Sequence, residues 1–189
     1  MTSHSELFLT ANEQLTAVLD TVEDWTTASA CEGWKVGDVV DHLIDTQRDF
    51  LQRHGLEIGP RPDTHDDPLD AWTAHASKIQ DLLDTPAVAG SEFDGFFGRT
   101  TIGATLATFY GFDMVVHRWD IARGIGLEHH FNDAELDLIE QSLDGFGDHL
   151  YEEGICKPAL PTTPDADRET RLLARMGRME AAATVAPNG

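Results

Sequence analysis

Asp113 and His117 lie four residues apart in the run Asp113-Met-Val-Val-His117. On a helix such a pair shares one face with Cβ atoms about 6 Å apart, so a carboxylate and an imidazole can turn toward one ion without bending the backbone. A third candidate, His42, follows Val39-Val-Asp at the margin of another apolar stripe, where its ring is expected to point inward rather than at bulk water. Two imidazoles and one carboxylate suit a divalent metal, Zn²⁺ first, with Ni²⁺ or another borderline ion also accommodated. Three protein ligands leave a fourth position for water or substrate, the open arrangement of catalytic rather than structural sites. A metal there lowers the pKa of a bound water to roughly 7 in zinc enzymes and holds a thiol as thiolate, a nucleophile near neutral pH.

A metal-free reading competes with this one. A histidine at the edge of an apolar stripe can be a satisfied core residue, and Asp113 and His117 can form an ion pair worth ~0.3–0.5 kcal/mol on an exposed face. The neighbours weigh against it. Met114, Val115, Val116 and Trp119 surround the pair, and a carboxylate buried among them needs something cationic nearby. Asp120, three residues beyond His117, either orients a ligand or pairs with a donor such as Arg123. Arg118 and Arg123 are expected in surface salt bridges, and Trp34, Val36 and Leu43 in the core. His54, His65, His75, His129, His130 and His149 are expected at the surface, and His4 in a mobile N-terminus. No residue is singled out as a general acid or base. Serine-hydrolase, Walker and dinucleotide-binding signatures are absent.

Helices must carry these residues. Leu7, Leu15, Val18, Leu19 and Val22 recur at helical spacing and predict a first helix over Ser5–Trp25. The second covers Trp34–Arg53, and the third covers Pro68–Leu83 with a proline in its first turn. Asp84–Gly98 is expected to be a loop with at most a short extended piece. Helices follow over Thr101–Ile125 and, after the N-cap residue Asn132, over Asp133–Tyr151. A short one over Arg168–Met179 closes the pattern. No strand alternation stands out. The expectation is an all-α chain: a bundle over residues 1–153 with the metal site, then a C-terminal extension over 154–189 packed on it, its last residues disordered.

Composition narrows the function classes. The chain has 189 residues, 34 acidic against 13 basic, and a formal net charge of -21. Such a surface repels phosphate backbones and anionic lipid, so neither nucleic acid nor membrane is an expected partner. Cys31 and Cys156 are far apart and form no C-x-x-C pair, which excludes a thiol-rich zinc cluster and points to a reducing cytoplasm. The first residues do not have the pattern of a signal peptide.

Two segments resemble a known family. Cys31-Glu-Gly-Trp34-Lys-Val-Gly-Asp38-Val-Val-Asp-His42-Leu43 resembles C-x-G-W-x-V-x-D-x-x-x-H-L of the mycothiol-dependent maleylpyruvate isomerase metal-binding domains, part of the DinB-like four-helix-bundle group. Asp113-x-x-x-His117-x-Trp119-Asp120-Ile-Ala122 resembles that family's second signature, an acid, then His, then W-D-L-A. Arg171-Leu-Leu-Ala-Arg-Met-Gly-Arg178 looks like the C-terminal segment of a short actinobacterial branch. The resemblance implies a DinB-like four-helix bundle with short extra helices and loops, and a zinc-type site at His42, Asp113 and His117. It implies a cytoplasmic enzyme using the thiol mycothiol as cosubstrate in S-transfer (a transferase) or isomerisation (an isomerase) of a small electrophile. In the isomerase the acidic ligand is Glu, so Asp113 is one methylene shorter. The alternative function is a non-catalytic metal-binding bundle serving as sensor, carrier or interaction module. A homodimer is compatible with either.

Overall fold

The computed structural model describes residues 3–96, 98–152 and 155–179. The chain has two compact units, Met1–His129 and His130–Gly189. The first contains α1 (His4–Leu19), α2 (Val36–Arg53), α3 (Pro68–Leu83), a single turn α4 (Pro86–Ala89), strands β1 (Glu92–Gly95) and β2 (Gly98–Thr101), and α5 (Ile102–Gly124). The second contains α6 (Asp133–Phe146), a 3-10 turn over Gly147–Tyr151, and α7 (Arg168–Arg175). The expected all-α class is therefore what the chain adopts.

Capping explains where the helices begin. Ser3 and Glu6 form a reciprocal capping box at α1, and Asp67 precedes Pro68 at α3 and accepts from the Asp70 amide at 3.0 Å. Thr101 accepts from the Ala104 amide and starts α5. Asn132 and Glu135 form the box at α6. The ends differ from the periodic reading. α1 stops at Leu19, where the Thr21 hydroxyl donates to the Val18 carbonyl at 2.7 Å. α6 stops at Phe146 because Gly147 takes a positive φ of 54°. The expected loop over 84–98 holds α4 and the first strand of a tight antiparallel hairpin, in which Phe93 pairs with Thr100. Four-residue strands are too short for alternation to reveal them.

α1 and α2 each pack against both α3 and α5, which closes a four-helix ring. Side-chain contacts fix the directions. Asn12 meets Trp72 and Ser5 meets Asp84, so α1 and α3 are antiparallel. Gln14 meets Arg118 and His4 lies beside Gly103, so α1 and α5 run the same way. His42 faces Asp113 and Phe50 faces Tyr110, so α2 and α5 are antiparallel. Consequently α2 and α3 run in the same direction, and residues 54–67 must cross back along the bundle. The crossover is tied to α2 by Arg61, which pairs with Asp41 and Asp45, and by the Thr64 hydroxyl, which donates to Asp41 at 2.6 Å.

The core of the first unit is made of Phe8, Leu15, Leu43, Ile44, Leu51, Trp72, Ile79, Leu106 and Met114, each completely or almost completely buried. In the second unit Leu136, Ile139, Leu143 and Phe146 of α6 and Leu172 and Leu173 of α7 are buried. Arg168 pairs there with Asp137 and Glu140, and Arg175 with Asp144. The boundary expected after residue 153 falls on residues outside the described ones, as does the expected disorder of 180–189. Among the described residues no helix is long and apolar enough to cross a membrane.

Candidate metal centre

α2 and α5 bring the three expected residues together. Val39, Val40, Leu43 and Ile44 bury one face of α2, and His42 sits at its edge, 27% exposed. α5 is buried at every position from Met114 to Ala122, His117 included, and the less enclosed Asp113 stands just before that stretch. His42 Nε2 lies 3.4 Å from Asp113 Oδ2, and His117 Nε2 lies 3.4 Å from Asp113 Oδ1. The three residues offer ligand atoms that all lie within 4.8 Å of one another.

The other edge of His117 is held separately. Its Nδ1 lies 2.9 Å from Oδ2 of Asp120, which is fully buried. A carboxylate only accepts, so Nδ1 carries the proton. The Nε2 lone pair of a neutral His117 would then face a second carboxylate, Asp113, and that arrangement needs a cation between them, whether proton or metal. The titration behaviour follows. Burial opposes charge on His117, but Asp113, Asp120 and Cys31 outweigh it and hold the imidazole well above its ordinary range. Burial likewise opposes charge on Asp113, but His117 and His42 hold its carboxyl below the usual carboxylate range.

Both distances are longer than direct charge-assisted hydrogen bonds, and each runs to a different oxygen of Asp113. Charge-assisted N–H···O bonds run about 2.7–2.9 Å. Two ligands on one tetrahedral zinc with bonds of about 2.1 Å stand about 3.4 Å apart, the length that each imidazole keeps from its own Asp113 oxygen. Asp113 is 22% exposed, so the cluster is not sealed from solvent.

Two neighbours of the cluster were not legible as such. Trp34, expected in the core, is half-buried. Its ring lies 5.0 Å from that of His42 and stacks at 18° and 6.1 Å on that of His117, forming a wall of the site. Cys31 Sγ lies 3.1 Å from Asp120 Oδ2 and 3.7 Å from His117 Nδ1. Val36 and Leu43 are fully buried as expected. Arg118, expected at the surface, is buried, donating to His129 Nε2 at 2.9 Å and to Gln14 Oε1 at 2.6 Å. Arg123 lies over the Trp119 ring, 5.8 Å from its centroid. His75 is also buried rather than at the surface, 3.1 Å from Gln47 Oε1.

A family model described as the mycothiol maleylpyruvate isomerase N-terminal domain matches residues 8–122, which run from within α1 through nearly all of α5 and include every residue of the cluster. No curated protein and no solved structure matches the chain.

Proposed function

Because the chain belongs to the mycothiol maleylpyruvate isomerase N-terminal domain family, we propose that His42, Asp113 and His117 hold one divalent metal of the zinc type in a thiol-using enzyme. The cosubstrate is a small thiol, mycothiol, and the reaction is S-transfer to, or isomerisation of, a small electrophile. The observation that carries this reading is that His42, Asp113 and His117, from two helices, each offer one ligand atom and that these atoms lie within 4.8 Å of one another.

When bound, the metal supplies a Lewis acid that keeps a thiol sulfur deprotonated near neutral pH. The chain's own residues do the rest. His42 and His117 would hold the metal through Nε2, and Asp113 would supply the negative charge. Asp120 accepts a hydrogen bond from the Nδ1–H of His117 and so fixes the tautomer that leaves Nε2 free to ligate. Trp34 covers the imidazoles on one side. The partial exposure of His42 and Asp113 supports an open site that a cosubstrate can enter rather than a closed structural one.

The test is kinetic. Metal-loaded protein, mycothiol and a model electrophile such as an activated cis-unsaturated acid or an alkyl halide are mixed, with chelator-treated protein as control. A metal-dependent rate supports the enzyme. A rate equal to the metal-free control contradicts it and favours the carrier or sensor reading.

A further inference from the structure

Asp120 is fully buried, and a carboxylate out of water costs several kcal/mol unless donors meet it. Two donors converge on one of its oxygens, Oδ2: the Nδ1–H of His117 at 2.9 Å and the thiol of Cys31 at 3.1 Å. Cys31 comes from outside the bundle helices, on the loop that precedes α2. That loop is closed by an isolated bridge between Ala28 and Lys35 and by the Ser29 amide donating to the Trp34 carbonyl at 2.9 Å. The Ser29 hydroxyl accepts from the Cys31 amide at 3.1 Å. The loop is fastened to Asp120 itself, because the Ala30 amide donates to the Asp120 carbonyl at 3.1 Å. Gly124, one turn on, permits this approach: a Cβ there would stand 2.6 Å from the Ala28 carbonyl oxygen.

Cys31, His117 and Asp120 are also a possible ligand set, but their spacing argues against a second ion. The 2.9 Å between His117 Nδ1 and Asp120 Oδ2 is a hydrogen-bond length, well short of the about 3.4 Å between ligands of one zinc.

We propose that Cys31 is a positioning residue of the metal centre: its thiol donates to Asp120 Oδ2 and keeps that oxygen aimed at His117, so that the loop before α2 helps set the orientation of a ligand on α5. The proposal rests on the metal reading above and extends it, since no bond from Cys31 to the metal is involved. A group that supports a ligating histidine typically contributes tenfold to a hundredfold in metal affinity. Cys31 acts one bond further out, so its effect belongs at the lower end.

The experiment compares wild type, Cys31→Ala and Cys31→Ser by chelator competition for zinc and by the visible spectrum of the cobalt-substituted protein. The expected result is an affinity loss of about tenfold and an altered cobalt spectrum in Cys31→Ala. Cys31→Ser retains a donor and is expected close to wild type in both. Wild-type affinity in Cys31→Ala, or equal loss in the alanine and serine variants, overturns the proposal, because the second outcome assigns Cys31 a packing role. If wild type takes up no zinc, the metal reading fails by itself, and the inference is decided on the metal-free protein by nitrogen-15 NMR of His117. There the Nδ1–H of Cys31→Ala is expected to exchange with solvent faster than in wild type and Cys31→Ser, and equal exchange in all three overturns the proposal.

Discussion

His117 Nδ1 and Asp120 Oδ2 stand 2.9 Å apart, one turn from each other on α5, with the carboxylate sealed from solvent. This contact decides which nitrogen of His117 faces Asp113. Replacing Asp120 by Asn removes the charge and allows the amide to donate instead of accept, which favours the wrong tautomer. Asp120→Asn is expected to lose about tenfold to a hundredfold in zinc affinity in chelator competition. Unchanged affinity would remove Asp120 from the site.

Proton release should accompany metal binding. The His117 imidazole is held well above its ordinary range, so at neutral pH the metal-free protein carries a proton that the metal must displace. Lower pH strengthens the competitor, and zinc affinity therefore falls as pH falls. Calorimetric titration at pH 7 in two buffers of different ionisation enthalpy is expected to show about one proton released per metal. Zero protons released would mean that His117 does not ligate through Nε2.

A second pH effect belongs to the core. Burial pushes the His75 imidazole down to about 3, with Arg48 adding to the shift. The unfolded chain takes up that proton near pH 6.5, whereas the folded chain resists it. The stability associated with the neutral ring is therefore complete above about pH 6.5 and is lost as pH falls toward 3, at up to about 1.4 kcal/mol per pH unit. His75→Gln is expected to flatten the slope of unfolding free energy against pH between 6 and 5 by up to one proton in urea titrations. An unaltered slope would contradict the buried neutral state.

Two glycines of α5 should respond in opposite ways. A methyl at Gly124 would stand 2.6 Å from the Ala28 carbonyl oxygen and 2.8 Å from the Ser29 Cα, whereas one at Gly111 would meet nothing closer than 4.0 Å. Helix propensity favours alanine by up to about 1 kcal/mol at either position. At Gly124 the steric cost, about 1–3 kcal/mol, exceeds that gain. Gly111→Ala should raise the urea midpoint and Gly124→Ala should lower it. A stabilising Gly124→Ala would mean that the loop carrying Cys31 does not dock closely on α5.

The difference between what was legible and what was not is one of range. The stripes of α2 and α5 are local, so periodicity locates both helices, and the i, i+4 spacing of Asp113 and His117 places them on one face. The motif around His42 supplies its partner across the bundle. Cys31 and Trp34 precede α2 by only a few residues, yet reach the site solely because the loop folds back onto Asp120 and Gly124. That docking depends on residues some 90 positions away, and no local pattern encodes it. The burial of His75 and Arg118 was not legible for a related reason: a polar residue on a helix carries no local sign that a distant side chain, Gln47 in one case and Gln14 with His129 in the other, will meet it in the interior.

The central claim concerns one ion bound by three residues from two helices. Its most direct test is the metal content of purified wild type, His42→Ala and His117→Ala, measured by elemental analysis beside a circular dichroism check of folding. The expected result is about one zinc-type ion per wild-type chain and a large loss in both variants with helicity retained. Equal metal content in all three folded proteins would contradict the assignment.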